Sequence, residues 1–384
     1  RNTETYTKDY TNGAVTANKS DNDIKAGFWD ATPFQSWFVR NTAAWTLSSR
    51  VALQPGIDIK YDKSSGRRIE GTPSISDVSF FASADIKPVS DLTIRPGVRF
   101  TKNSKYDAPP VIPSLNAKLA LNKEFDLRAS YAHGFRAPLL RELYFYFFDS
   151  NHSIAGNPAL KAENSDSYNA SLTWHNNKAQ GVLATSSLSA FYNDYHDFID
   201  LYNFTDENNN LVTSYFNRDK NKTIGATFDN TVNWRKLIIN AGISYVGYYN
   251  KYQEDKSNTG DRSTFTFTPE ATANLSYHLS GLNAGIGLYY KYTGKIPSYR
   301  MDGDKIILSK RDAFHWADLT ITKQFPRYIS LQGGIKNIFD VTDLQASGTA
   351  ASGGAHSTGS TTNYAYGRSY FLGINFQWVH STKK

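Results

Sequence analysis

The chain contains no cysteine, which excludes a disulfide framework and any thiolate metal site. It has no run approaching the roughly 18 consecutive apolar residues of a membrane helix, and a mean hydropathy of −0.51 excludes a helical membrane protein. The formal net charge of +7 is spread along the chain. No block of Lys and Arg interleaved with aromatics stands out, which argues against nucleic acid as a partner and for solvated polar surfaces. No Gly-rich phosphate loop precedes a helix. No Ser-His-Asp or Cys-His arrangement has supporting motif context, so enzymatic chemistry is not expected. No signal peptide stands at Arg1, and the abrupt polar start reads as the beginning of a mature fragment.

Aromatic residues, in contrast, are abundant. The 384 residues include 25 Tyr, 23 Phe and 7 Trp, heavy for a chain so polar overall. Membrane β-barrels combine these traits, because alternate strand residues face lipid, aromatic girdles mark both interfaces and the interior is wet. Apolar residues recur with period two. Leu92, Ile94, Val98 and Phe100 oppose Thr93, Arg95, Gly97 and Arg99, and Tyr370, Leu372, Ile374, Phe376 and Trp378 share one face of the last strand. Short connections such as 88–91, 122–126, 177–181, 233–236 and 278–281 alternate with long segments near 11–34, 64–76, 102–112, 137–163, 204–211, 252–263, 297–305 and 340–366. Short periplasmic turns and long extracellular loops are the outer-membrane pattern.

About 16 strands are expected, near 3–10, 35–47, 50–64, 76–88, 91–103, 113–124, 126–136, 164–176, 182–203, 212–233, 236–251, 264–278, 282–296, 306–323, 328–338 and 367–378. An even number puts both ends on the periplasmic side. Trp174 and Trp234 beside short turns, and Trp378 at the last strand end, suit an interfacial belt. Segment 346–364 is low-complexity and reads as a surface loop. The fold class is therefore all-β, a transmembrane antiparallel up-and-down barrel.

The segment after residue 133 is the one that points to a ligand. A strand ends in Phe135-Arg136-Ala137-Pro138, and Pro138 cannot continue a central ladder. Glu142-Leu143-Tyr144 follows, and Tyr144 to Phe148 are five contiguous aromatics. Exposing them to water is costly, so they should fold back into the barrel mouth or line an apolar pocket. His152 comes next, and then Asn157-Pro158-Ala159-Leu160 leads into the following strand. A neutral imidazole beside aromatic walls is what a haem iron needs as an axial ligand. The two boxes also read as purely structural, shaping strand exit and re-entry.

This order resembles the FRAP box, histidine and NPNL box of TonB-dependent haem receptors of Gram-negative outer membranes. Residues 80–100 (FFASADIKPVSDLTIRPGVRF) resemble an adjacent hairpin of that superfamily, 333–343 (GGIKNIFDVTD) its penultimate strand with an NLFD-like box, and 367–378 (GRSYFLGINFQW) its closing strand. The resemblance covers residues 1–384 as the C-terminal portion of a barrel of roughly 22 strands. It implies about six further strands, a plug domain and a Ton box, with a second haem-contacting histidine on the plug. By the same resemblance, haem is transported cargo and no catalytic cofactor. His152 would ligate its iron, and Tyr144 and Phe145 would cradle the ring. Arg136 would tie the loop base to the lumen wall. Implied partners are outer-membrane lipid, haem or a haem-carrier protein, the TonB complex through the plug, and a surface lipoprotein. FRAP-like boxes also occur in siderophore and cobalamin receptors; the intervening histidine is what narrows the reading to haem.

Other candidates are weaker. His133 is a second ligand or a lumen residue. Asp194, His196 and Asp197 sit close together, as acid–histidine pairs do in outer-membrane proteases, but read as lumen polar groups. His356 lies in the low-complexity loop, and His278 and His315 read as turn and strand residues. Asp302 and Asp304, with Glu254, Asp255 and Asp261, match no calcium loop. Two other classes stay open: a passive barrel whose 16 strands close by themselves, and a soluble β-rich binding module. The tail 379–384 extends past the aromatic at which family members commonly stop.

Overall fold

The computed structural model describes residues 2–6, 29–148, 153–176, 181–205, 211–251, 265–302, 305–325, 329–347 and 361–376. The first half of the chain forms β1 (Asn2–Tyr6), β2 (Trp29–Thr42), β3 (Trp45–Ser48), β4 (Val51–Ser64), β5 (Ser74–Val89), β6 (Leu92–Asn103), β7 (Ile112–Ala120) and β8 (Phe125–Arg136). A helix α1 (Leu140–Tyr144) and two short strands, β9 (Tyr146–Phe148) and β10 (Ser153–Ala155), follow. The wall then resumes with β11 (Glu163–Asn176), β12 (Val182–Thr205), β13 (Leu211–Trp234), β14 (Leu237–Lys251), β15 (Thr266–Leu279) and β16 (Ala284–Thr293). Beyond these lie β17 (Ile296–Asp302), β18 (Lys305–Arg311), β19 (Phe314–Phe325), β20 (Ile329–Lys336), β21 (Asp343–Ser347), β22 (Thr361–Asn363) and β23 (Ser369–Phe376).

Nineteen strands make one sheet, and β17, β18, β21 and β22 make a second. With the β9–β10 hairpin set aside and β3 read as the continuation of β2, sixteen strands form a single antiparallel meander from β1 to β23. That is the number expected from the alternation. Among the described residues β1 and β23 do not pair with each other, so the sheet is open.

Register sorts most side chains across the middle of the wall. Leu127, Leu172, Leu188 and Phe228 align across β8, β11, β12 and β13, with Ile243 on β14 continuing the row. One position over, Arg128, Ser171, Ser189 and Thr227 align on the opposite face. The polar face lines a cavity of about 620 Å³ bounded by Arg95, Asn116, Lys118, Arg128 and Ser189, so it is the concave, luminal side. The apolar face is the one a lipid solvent demands, because strands crossing a bilayer must present apolar side chains outward. Two aromatic girdles bound it. Phe125, Trp174 and Trp234 sit by the short turns, while Tyr131, Tyr168 and Tyr192 form a ladder at the other end, with ring centroids 5.1 and 6.2 Å apart. Trp378 lies outside the described residues.

Several boundaries differ from the sequence expectation. The strand expected over 306–323 is two elements: β18 belongs to an outer hairpin with β17, and only β19 joins the wall. The expected 282–296 strand likewise stops at Thr293, and much of the expected 297–305 loop is the β17–β18 hairpin. The wall breaks where Gly294 presses on Pro269: its N–H bonds Pro269 O at 2.8 Å, and a Cβ there would stand 2.7 Å from the same oxygen. Alternation continues through the break, so a period-two pattern does not register it. Expected strand 35–47 is interrupted between Thr42 and Trp45.

The NLFD-like box closes on itself. Asn337, fully buried and in the left-handed region at φ 54, donates through Nδ2 to Val341 O and accepts from Val341 N, both at 2.9 Å. Its own N–H donates to Asp318 Oδ1 at 2.7 Å, an oxygen that also accepts from Trp316 Nε1. Asn is among the few non-glycine residues that tolerate this backbone and can hydrogen-bond locally while doing so.

Candidate functional site

The 137–162 segment is not a free lid. β8 ends at Arg136, directly opposite Glu163 at the start of β11. Arg136 Nε donates to Glu163 Oε2, while its Nη1 reaches Glu142 Oε2 on α1 at 3.0 Å. Glu142, the third residue of the helix, also accepts the Leu139 N–H at 2.8 Å, which satisfies one of the donors a helix start leaves open. Glu163 Oε1 accepts Ile199 N on β12 at 2.6 Å. Arg136 thus binds the exit strand, the helix and the re-entry strand together. Pro138 behind it is fully buried.

Apolar packing does the rest. Leu143, 1% exposed, joins Leu140 on α1, Leu160, Ile75 on β5 and Ile199 on β12 in a small core, with Tyr106, Tyr144 and Tyr215 against it. Burial pushes the Tyr106 hydroxyl pKa up, with Tyr144 and Glu142 adding to the shift. The second box closes the segment. Asn157 Oδ1 caps Ala159 N at 2.9 Å, its Nδ2 donates to Tyr215 O on β13 at 2.8 Å, and Leu160 enters the core. β10 pairs in parallel with β13 through Ile154 and Ala155, beyond the point where β14 ends.

The aromatic run divides. Phe145, 7% exposed, is buried and bridges to Ile69. Tyr144 is half-buried, with Lys105 Nζ donating to its hydroxyl and lying 4.6 Å from the ring centre. Phe147 lies under the Arg68 guanidinium at 3.5 Å, whereas Tyr146 and Phe148 remain exposed. The expectation that all five fold inward therefore holds for Phe145, holds in part for Tyr144 and Phe147, and fails for Tyr146 and Phe148. His152 lies outside the described residues, between the paired Phe148 and Ser153. His356, Asp304, Glu254, Asp255 and Asp261 also lie outside them. Among the described residues no group of three His, Asp or Glu could hold a metal ion.

His133 is not a lumen residue. It shares its face with Leu127, Ala129 and Tyr131, the outward one, and its Nδ1 is 3.0 Å from Asp166 Oδ1, which also accepts the Tyr131 hydroxyl at 2.8 Å. Asp194 and His196 lie on the same outward face, just above the tyrosine ladder, with Lys222 2.8 Å from Asp194. The reading of these residues as lumen groups is corrected on this point: by register they form a polar tier on the outward face, where the wall leaves the apolar zone. Counting in twos from Leu127 was the signal that could have placed them.

Fold and site together define an outer-membrane β-barrel whose outer mouth is braced by its own loops. Residues 1–338 match the family of TonB dependent receptor-like β-barrels, and the chain belongs to that family, whose members reside in the outer membrane of Gram-negative bacteria. The passive-barrel and soluble-module readings are set aside with it. Among curated relatives, the hemoglobin and hemoglobin-haptoglobin-binding protein B of Haemophilus influenzae is 34% identical over 99 residues, covering 25% of this chain and 9% of that protein. The corresponding protein of Haemophilus ducreyi is 40% identical over 75 residues, 20% of this chain and 7% of its own length. Among solved structures, the siderophore receptor PirA from Acinetobacter baumannii superposes with a TM-score of 0.67 at 16% identity, over 98% of this chain and 58% of that one. The FrpB iron transporter from Neisseria meningitidis gives 0.66 at 15% identity, over 91% and 56%. The chain spans less than two thirds of each of these proteins, and the structural likenesses speak to fold alone.

Proposed function

We propose that this chain is the barrel part of a TonB-dependent receptor that captures haem at the outer mouth and admits it as cargo. The observation that carries the reading is the braced 137–162 segment. Ile154 and Ala155 of its β9–β10 hairpin pair with β13, and Phe148 and Ser153, the neighbours of residues 149–152, pair with each other beside them. That the curated relatives are hemoglobin-binding proteins supports the same ligand class. In this reading His152 ligates the iron and Tyr144 contributes a wall. Phe145 backs the segment from beneath, and His133, on the outward face, takes no part. The boxes around Arg136 and Asn157 hold the segment in place and do not touch cargo. Haem arrives free or on a carrier protein, a surface lipoprotein can present it, and release depends on a plug that engages the TonB complex.

The test is a haem titration of the full-length receptor followed at the Soret band. Wild type is expected to saturate, and His152→Ala to lose affinity and shift the band. An unchanged spectrum and affinity in His152→Ala would remove the axial-ligand assignment, and no binding by wild type would remove haem as the cargo.

A further inference from the structure

The luminal face is charged on one side. On β2 to β8 it carries Arg40, Lys60, Arg95, Arg99, Lys118 and Arg128. On β11 to β16, among the described residues, Lys291 is its only Lys or Arg, and Glu270 stands 3.9 Å from it. The rest of that wall is mostly hydroxyl, amide and glycine.

One feature of the basic wall is built rather than merely charged. Asp58 on β4 is 3% exposed. It takes Arg40 Nε and Nη2 on its two oxygens at 2.6 and 2.7 Å, and Arg99 Nη2 at 2.6 Å. Both guanidinium groups lie over the Phe81 ring, at 5.8 and 5.6 Å from its centre. That ring packs against Gly56, where a Cβ would come within 2.3 Å of it. The position therefore needs glycine, and the ring becomes a floor. Two positive charges thus share one carboxylate. Each guanidinium has five N–H donors in a fixed fork, and Asp58 uses two of Arg40's and one of Arg99's. The nearby acids are engaged elsewhere: Asp62 pairs with Lys60 at 2.6 Å, and Asp77 accepts from Asn103 at 2.7 Å. The pair borders a cavity of about 430 Å³ that runs up to Arg136 and Pro138, directly under the braced segment.

We propose that Arg40 and Arg99, held by Asp58 above Phe81, form a carboxylate-binding station inside the lumen, which receives an acidic group of the cargo after it passes the mouth. A carboxylate matches the fork of a guanidinium, and two preorganised guanidinium groups on a fixed acid lose little freedom on binding it. Asp58 is a positioning residue: it fixes both forks and touches no cargo. The identity of the cargo rests on the haem reading, whereas the station itself needs only a carboxylate, so the two are tested with separate probes.

The first probe is benzene-1,3,5-tricarboxylate, a flat, water-soluble carboxylate without iron, measured by equilibrium dialysis against the full-length receptor in detergent. The double variant Arg40→Gln, Arg99→Gln is expected to bind it about tenfold more weakly. Arg128→Gln, lower on the same wall, is expected to change binding less than twofold, at about the level of surface charge effects. Arg99→Gln alone leaves the Arg40–Asp58 pair in place and serves if the double variant does not form a heat-modifiable barrel. Equal retention by wild type and these variants overturns the station, whatever haem does. The second probe compares hemin with its dimethyl ester at the Soret band. The substitutions are expected to weaken hemin and leave the ester unchanged; equal weakening of both shows a structural strap between β2, β4 and β6 and overturns the proposal. Failure of wild type to bind hemin counts against the haem reading and leaves the tricarboxylate result to decide the station.

Discussion

Arg136 and Glu163 face each other across β8 and β11, and their ion pair is the base on which the mouth segment stands. Each carboxylate in this arrangement does two things: Glu163 also holds Ile199 N, and Glu142 also holds Leu139 N. Removing Arg136 therefore leaves two mostly buried carboxylates without their cation. Arg136→Ala is expected to destabilise the segment by about 1–3 kcal/mol, the range for charged hydrogen bonds discounted for the partly exposed guanidinium. Arg136→Lys recovers little, because one ammonium cannot serve both acids with the geometry of a fork. Hydrogen exchange checks this: faster exchange in 139–145 and 157–160 with unchanged protection in β12 and β13 below Lys222 is expected. Uniform loss of protection throughout the wall would show a general folding defect instead.

Asn337, just past the end of β20 where the long 340–366 segment begins, makes a second prediction. Its side chain closes residues 337–341 with two bonds, and its φ of 54 disfavours residues with a Cβ and no local hydrogen bond. Asn337→Ala leaves the Val341 N–H and C=O without these partners in a buried place and adds left-handed strain. A loss of about 2–4 kcal/mol is expected. Asn337→Gly relieves the strain alone and should recover about 1 kcal/mol of it. Heat modifiability of the barrel on gels reads both; identical melting of the two variants would show that strain plays no part.

The Tyr106 hydroxyl gives the mouth an alkaline limit. Burial raises its pKa, so the folded state holds the proton more tightly than the unfolded chain, whose tyrosines titrate near about pH 10. The sign follows from linkage: the folded state binds more protons in that window, so the contribution is full below about pH 10 and is lost as pH rises through the folded value. Exchange protection of 140–144 is expected to fall above about pH 10 in wild type. Tyr106→Phe is expected to flatten that fall, and an unaltered profile in the variant would assign the effect to another group.

How much of this was legible in the chain depends on the range of the contacts. Sixteen wall strands could be counted because lipid and water impose opposite side chains on alternate residues, and runs such as Leu92 to Phe100 record that choice locally. The break at Gly294 could not be read, since β16 and β17 keep the same period on both sides of it. The outward position of His133 was available by counting from Leu127, but a polar residue near a barrel end suggested the lumen. The Arg136 brace was half legible: its box marked a strand exit, while its partners, Glu142 and Glu163, required the loop to fold back. The Arg40–Asp58–Arg99 group joins residues on three strands and depends on register, which no local pattern states. The same holds for the small core that unites Ile75, Leu143 and Ile199.

The face assignment can be tested at a single step along one strand. Ile243 on β14 is 65% exposed and aligns with Phe228 and Ala271 on the outward face, whereas its neighbour Ser244 points into the lumen opposite Thr227 and Glu270. An arginine on the lipid face near the bilayer centre costs about 2–4 kcal/mol, while a luminal one stays hydrated. Ile243→Arg is therefore expected to lower stability by that amount when the full-length receptor is unfolded from lipid vesicles, and Ser244→Arg by less than about 1 kcal/mol, with Glu270 across the strand pair to partner it. A smaller loss for Ile243→Arg than for Ser244→Arg would invert the two faces of the wall, and with them the luminal placement of Arg40, Asp58 and Arg99, because the register that puts Ser244 inside is continuous from β14 back to β2.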